Sequence, residues 1–342
     1  MRIERQPPRP DLMLICKSFE PWIDAYQAKD LLVYGGTGFI GKWLVNSLIE
    51  INKQFQAQIN IQLITRDSAK AKSMFGEVDV RRIKFIQHDF NNPLEGSNIH
   101  ADIIFQGATT SNKVFQQKNP KSTLWVSLNA TSHACNVKSK NDSKPMIIHL
   151  SSGAIYEQPK VNQALQSETS TALNYNGSSY AKAKIKSEEL LQASFTEGKI
   201  DYQSPRLFAF YGPLLPIDEH FAIGNFLRDG VSDFPIKLTG NPFTTRSYMH
   251  PIDLISILLR LATHRNFSPV NIGSDIPITM IDLALLISNL TNKKAPQVLN
   301  PNAEISNYVP EIKYIKTVLK YSHQVSLEQG ISQWISWLDV DY

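Results

Sequence analysis

Hydrophobic and polar positions along this chain fall into blocks whose period switches repeatedly between that of a strand and that of a helix. The clearest block is Leu31–Gly41. Leu31, Leu32 and Val33 form an uninterrupted apolar run, as a parallel strand covered on both faces does. After a glycine-rich turn, Phe39, Ile40, Trp43, Leu44, Leu48 and Ile49 recur at helical spacing, with Lys42, Asn46 and Glu50 on the other side. That pattern predicts an amphipathic helix. The alternation continues downstream: Ile59–Thr65, Ile83–Ile86, Ala101–Ala108 and Met146–Leu150 read as strands, with helical stretches between them, notably Ser122–Ser139. Strands alternating with helices at this spacing predict βαβ units, and therefore an α/β fold of the Rossmann type with a doubly wound parallel sheet.

The ends of the chain have a different character. Residues 1–28 precede the first strand as an extension. Pro7, Pro8 and Pro10 predict an irregular start, and Ser18–Gln27 reads as a short amphipathic helix. Leu12–Cys16 is too short an apolar run for a signal peptide or a membrane span. After Lys199 a strand is expected over Tyr202–Phe210 and a late one over Val270–Gly273, separated by short helices with Pro/Gly punctuation. Two further helices are expected, Thr279–Asn292 with Thr279 as N-cap and Ser326–Leu338. The expected organisation is a Rossmann domain over residues 29–211 plus about 244–272. A smaller C-terminal α/β substrate-binding lobe takes about 212–243 plus 273–342, with ligand held where the strand ends meet it.

Composition narrows the function classes. The chain has 342 residues, 42% hydrophobic and 19% charged, with a net charge of +4. Charges of both signs are interspersed, so neither a nucleic-acid tract nor a membrane-binding stripe is indicated. The two cysteines, Cys16 and Cys135, have no metal-ligand spacing and make no disulfide framework, which fits a reducing cytoplasm. No metal site is expected.

Three stretches carry chemistry. Gly35, Gly38 and Gly41, between a strand and a helix, have the spacing of a turn that admits a dinucleotide pyrophosphate to helix N–H groups. Tyr180 and Lys184 are four residues apart in SSYAKAKIKSEELL and share one helix face, where an ammonium would lower the tyrosine pKa. Tyr156 and Lys160 repeat that spacing, but Pro159 between them argues against a continuous helix. Finally, Ser152 in LSSGAIY puts a hydroxyl at the exit of the fifth strand.

Taken together, GGTGFIG, LSSGAIY, YAKAK, RLFAFYGP, TTRSYMHPIDL and VNIG resemble the extended short-chain dehydrogenase/reductases of the nucleotide-sugar epimerase and dehydratase group. The resemblance implies that Ser152 holds the reacting sugar oxygen and Tyr180 exchanges its proton. Lys184 would hold the nicotinamide ribose. Gly35, Thr37, Gly38, Phe39, Ile40, Gly41 and Ala108 would line the dinucleotide, with Asp89 and Phe90 flanking the adenine. Asn129 would support the site, while Asn225 and Arg246 would bind substrate, Arg246 gripping its diphosphate. His220, His250 and Asp253 carry little functional weight as lone residues.

Departures from the group matter as well. Gly153 and Ala154 stand where 4,6-dehydrating members carry an Asp-Glu pair, so dehydration is not expected, and Ala209 replaces a substrate-contacting asparagine. At the end of the second strand, Thr65-Arg66 with Asp67 one step farther favours NADP over NAD, with Arg66 facing the 2′-phosphate. The resulting expectation is a 4-ketoreductase acting on an NDP-4-keto-6-deoxyhexose, working as a cytoplasmic homodimer. The alternatives are an NAD-dependent nucleotide-sugar 4-epimerase and, more distantly, a non-catalytic dinucleotide sensor.

Overall fold

A computed structural model describes residues 6–75, 82–95, 98–110, 112–141, 143–157, 165–170, 177–219, 221–232, 234–265 and 269–339. The chain divides into two units. The first comprises Met1–Ile155, Leu173–Arg206 and Ile255–Val270, and the second Tyr156–Ala172, Leu207–Leu254 and Asn271–Tyr342.

The first unit is built on strands β1 (Asp30–Tyr34), β2 (Asn60–Thr65), β3 (Ile83–Gln87), β4 (Ile103–Gln106), β5 (Met146–His149) and β6 (Asp201–Gln203). They form one sheet in the order β3-β2-β1-β4-β5-β6, and every pairing is parallel. This is the doubly wound order, with the winding reversing between β1 and β4. All residues of β4 and β5 are buried, which explains the uninterrupted apolar runs in their sequences. On one face Leu32, Tyr34, Ile104 and Ile147 pack with Ala130 and Ala134 of helix α5 (Pro120–Asn136) and with Leu191 of helix α6 (Ser179–Thr196). Between β1 and β2 runs α2 (Phe39–Phe55), whose Trp43, Leu44, Leu48 and Ile51 are buried.

Two expectations need correction. The N-terminal extension is not irregular: Arg9–Phe19 forms helix α1, followed by a 3-10 turn over Glu20–Tyr26. Pro8 is its N-cap and Pro10 lies in its first turn, where the missing N–H has no partner to lose. The expected strand Tyr202–Phe210 is instead two pieces, β6 and Pro205–Leu207, because Pro205 cannot donate to a ladder. Pro159 and Lys160 of the Tyr156–Lys160 pair lie outside the described residues, as does His220.

The extension packs into the first unit. Ile15, Phe19 and Tyr26 are fully buried, each worth roughly 1.5–3 kcal/mol as an apolar side chain removed from water. The Tyr26 hydroxyl donates to the Leu259 carbonyl (2.9 Å), and the Arg260 guanidinium lies over the Trp22 ring at 4.4 Å while donating to Ser18 O.

In the second unit, a small sheet joins β7 (Thr245–Arg246) to β8 (Ile278–Thr279) antiparallel and to β9 (Asn307–Tyr308) parallel. Helix α7 covers Ala222–Val231, α8 Met280–Leu290 and α9 Leu327–Asp339. Thr279 caps α8 as expected, its hydroxyl accepting from Asp282 N at 3.2 Å. Among the described residues, no helix is long and apolar enough to cross a membrane.

Asp11 on α1 yields a stability prediction. It is buried, and its Oδ2 has no hydrogen-bond partner among the described residues. Burial pushes its pKa from 3.8 to about 6. The folded chain therefore holds this proton more tightly than the unfolded one, so stability falls as pH rises from 3.8 through 6. Asp11→Asn should raise the Tm at pH 8, recovering up to about 3 kcal/mol. The gain should shrink toward pH 5; equal gains at both pH values in thermal melts would refute this account.

Candidate active site

The three glycines after β1 have three different steric reasons. Gly35 has a φ of +74°, and a Cβ there would lie 2.8 Å from the Gly107 carbonyl oxygen just past β4. A Cβ on Gly41 would lie 2.3 Å from the Gly35 carbonyl, so the first turn of α2 packs directly on the backbone it leaves. Gly38 is exposed, and a Cβ there would meet only Gly35 O, at 3.4 Å. Tight turn, open approach and close packing are what a dinucleotide-binding turn needs from its glycines.

Gly38 is also the N-cap of α2, with no side-chain cap and no acidic residue in the first turn. The N–H groups and dipole of the helix are thus not offset by a side-chain carboxylate, which suits an anion. Thr37, Phe39 and Ile40 are partly exposed around this opening, and Ala108 follows Gly107 at the exit of β4. The residues present therefore fit a dinucleotide pyrophosphate.

At the exit of β2, Arg66 is exposed. Asp67, the acidic residue nearest to it, is engaged as the cap of helix α3 (Ser68–Phe75), its carboxylate accepting from Lys70 N at 2.9 Å. Beyond β3, the Asp89 carboxylate accepts from the Asn91 backbone at 3.0 Å; that bond, with Arg66 and His88 nearby, holds its pKa below the usual value. Phe90 does not present its ring to solvent. It is buried against Tyr34, His88 and His133, and its carbonyl accepts from Asn129 Nδ2 at 2.9 Å. His133 pairs with the Tyr34 hydroxyl at 2.6 Å, and burial lowers its pKa to about 4, so it is neutral.

Ser152, Tyr180 and Lys184 come together. Ser178 caps α6 by accepting from Ala181 N, which starts the helix in register with the β5 exit. Ser152 stands beside the Tyr180 hydroxyl, near enough to lower its pKa, and Lys184 Nζ lies 5.7 Å from the Tyr180 ring centroid. Lys184 is almost fully buried and donates to the Leu150 carbonyl at 2.5 Å. Burial lowers its pKa to about 8, with Glu188 opposing that shift. The expected lowering of the Tyr180 pKa is not found. Burial raises it above 10.0, with Ser152 pulling in the other direction, so Tyr180 is a neutral phenol near pH 7.

Sequence reasoning missed two charged residues beside this group. The Glu188 carboxylate accepts from Ser151 Oγ at 2.5 Å and from Arg206 Nη2 at 2.8 Å and Nε at 3.2 Å. The i+4 spacing of Glu188 from Lys184 was visible in the sequence, whereas Arg206 is brought there only by the fold.

The second unit holds the expected substrate residues. Arg246, on β7, donates from Nη1 to Thr245 O and Ser306 O and from Nη2 to Ser306 Oγ, at 2.8–2.9 Å. Asn225, on α7, accepts from Arg228 Nη1 at 3.3 Å. Tyr156 is buried and donates to Asn271 Oδ1 at 2.8 Å, a structural tie. His250 and Asp253 are buried, and Asp253 accepts from Gln324 N at 3.0 Å. Among the described residues, no group of three or more His, Cys, Asp or Glu side chains could hold a metal.

Comparisons agree with this architecture. The family model of the NAD dependent epimerase/dehydratase family matches residues 31–273. The chain is 26% identical over 305 residues to UDP-glucuronic acid decarboxylase 3 of Arabidopsis thaliana, covering 88% of this chain and 86% of that one. Its fold is similar to that of a UDP-N-acetylglucosamine 4-epimerase from Methanobrevibacter ruminantium M1 in complex with UDP-N-acetylmuramic acid (TM-score 0.77, 19% identity, covering 92% and 100% of the two chains). It is also similar to a UDP-glucuronic acid 4-epimerase mutant from Bacillus cereus in complex with a fluorinated UDP-glucuronic acid and NAD (TM-score 0.74, 19% identity, covering 92% and 100%). With a family match over most of its length and a parallel sheet and glycine turn of the expected geometry, the chain belongs to the NAD dependent epimerase/dehydratase family, enzymes of the extended short-chain dehydrogenase/reductase type.

Proposed function

We propose that this enzyme transfers hydride at C4 of a nucleotide-activated hexose, acting as an NADPH-dependent 4-ketoreductase on an NDP-4-keto-6-deoxyhexose. The observation that carries the reading is the meeting of Ser152, Tyr180 and Lys184 at the β5 exit, in the same unit as the open Gly38 turn. The bound dinucleotide supplies the hydride. Gly38 and the first amides of α2 receive its pyrophosphate, and Lys184 holds the nicotinamide ribose. Ser152 positions the C4 oxygen by a hydrogen bond, and Tyr180 delivers its proton to that oxygen. Arg246, its guanidinium plane set by Ser306 and Thr245 O, turns its remaining N–H groups to the substrate diphosphate, with Asn225 beside the sugar nucleotide.

Two observations support the reductive direction. Tyr180 rests as a phenol, the form that donates to a ketone oxygen. Asp67 is engaged in capping α3, which leaves Arg66 as the charged group toward the adenosine ribose and favours a 2′-phosphate. Gly153 and Ala154 cannot move protons, so this reading excludes 4,6-dehydration. The likeness to decarboxylases concerns the same carbon, because a C4 ketone labilises a carboxylate at C5. A second reading, a 4-epimerase that retains NAD, draws on the NAD-bearing epimerase of similar fold. For both readings we place the enzyme in the cytoplasm as a homodimer.

Removing the proton donor tests the assignment. Tyr180→Phe keeps the ring and should keep dinucleotide binding, but turnover of a 4-keto nucleotide sugar should fall by about 10²- to 10⁴-fold. Ser152→Ala should slow the reaction less. Tyr156→Phe, which cuts the tie to Asn271, should cost about 1 kcal/mol of stability and little turnover. Near-normal turnover by Tyr180→Phe would rule out the mechanism.

Two binding measurements test the cofactor. Gly38→Val puts a branched side chain into the open approach and should abolish dinucleotide binding in a fluorescence titration while the fold persists. Arg66→Ala should weaken NADPH by about 10- to 150-fold, the equivalent of about 1.5–3 kcal/mol, and spare NADH. Equal affinity of the unsubstituted enzyme for NADPH and NADH would count against the reductase, and NAD released on denaturation would favour the epimerase.

A further inference from the structure

Three consecutive residues leaving β5 each meet one of three residues on a single stripe of α6. Leu150 O accepts from Lys184, Ser151 Oγ donates to Glu188, and Ser152 stands beside Tyr180. Tyr180, Lys184 and Glu188 are spaced i, i+4 and i+8, so they rise along one helix face and meet the strand exit together. The Ser151–Glu188 contact has no part in the proposed hydride chemistry, yet it is the most tightly held. Arg206 grips the Glu188 carboxylate with two donors, and both side chains are largely buried, 10% and 16% exposed for Arg206 and Glu188. A fork of this kind fixes the carboxylate in place rather than letting it swing toward solvent.

We propose that Glu188 is a positioning residue for the catalytic pair: clamped by Arg206 and Ser151, its carboxylate seats the α6 stripe on the β5 exit and keeps the buried Lys184 charged. This rests on the reading of Tyr180 and Lys184 as catalytic. Lys184 needs such help, because a buried ammonium with one carbonyl partner tends to lose its proton. The titratable and charged groups around it are Tyr180 and Glu188 on α6, His149 at the end of β5, and Arg206 and Tyr202 behind Glu188. His149 is buried, bonds to Gln106 Oε1 at 2.8 Å and is kept neutral by burial and by Lys184 itself, so it supplies no anion. Helix α5 meets α6 through the Thr131–Ser187 hydroxyl pair, and α4 (Lys113–Lys118) accepts the Ser179 hydroxyl at Gln116 O, none of which titrates. Among the described residues, the negative charge acting on Lys184 is that of Glu188.

The sign of the effect follows. Glu188 opposes the burial that brings the Lys184 pKa down to about 8. Glu188→Gln keeps the shape and removes the negative charge, which disfavours the ammonium one helical turn away. In the full-length enzyme with ¹³C-labelled lysine side chains, assigned with Lys184→Met, the Lys184 midpoint in Glu188→Gln should fall by about one pH unit. The alkaline limb of the turnover profile should move to lower pH with it, and Glu188→Asp should restore most of the shift. If Glu188→Gln does not fold, Glu188→Gln/Arg206→Met removes both members of the buried pair, which proteins tolerate better than an orphaned charge, and Lys184 should again titrate lower. A loss of thermal stability with an unmoved Lys184 titration and an unmoved alkaline limb would overturn the proposal and leave the catalytic reading intact. Normal turnover by Lys184→Met would instead overturn the catalytic reading and with it the positioning role.

Discussion

The site depends on keeping a positive charge where water has been excluded. Lys184 is buried at the exit of β5, and an ammonium in such a place loses several kcal/mol of hydration unless partners replace it. The Leu150 carbonyl accepts one of its hydrogens, and Glu188 answers its charge from one helical turn away. Glu188 in turn is held by Arg206 and Ser151. The consequence is a rigid arrangement in which Tyr180, on the same stripe, meets Ser152 without either side chain having to search for the other. Precision here comes from the bonds that tie Lys184 and Glu188 to the β5 exit, because buried polar groups held by partners specify geometry.

The sheet supplies the other half of the design. In the order β3-β2-β1-β4-β5-β6 the winding reverses between β1 and β4, so their connections diverge and leave room above the strand exits. Gly35 and Gly107 face each other across that gap so closely that a side chain on Gly35 would strike backbone. Gly38, by contrast, would bring a side chain only into ordinary contact with Gly35 O, and it opens a helix whose first turn carries no carboxylate. Two different steric situations and one helix dipole thus leave an opening suited to an anion, in the same unit as the proposed catalytic stripe.

Much of this was legible beforehand because it rests on local rules. Parallel strands covered on both faces must be continuously apolar, so β1, β4 and β5 announce themselves. The glycine spacing and the i, i+4 pair on α6 are local geometry as well, and Thr279 and Ser178 cap their helices through bonds to residues three positions away. The failures were also physical. Pro8 and Pro10 were read as an irregular start although a helix N-terminus tolerates proline, and Pro205 was read through although it cannot donate to a ladder.

What the sequence alone determined about this protein is the doubly wound sheet, the turn that opens to a dinucleotide, and the identity of the residues on the α6 stripe, because period, steric freedom and helical spacing act over a few residues. Only the tertiary structure decided their environments. Burial raised the Tyr180 pKa where proximity to a lysine predicted a fall, and folding brought Arg206 onto Glu188 from 18 positions away. It also turned the Phe90 ring into the core and gave Asp67 to a helix cap. Solvation and long-range charge depend on what lies across the fold, and no spacing along the chain encodes that.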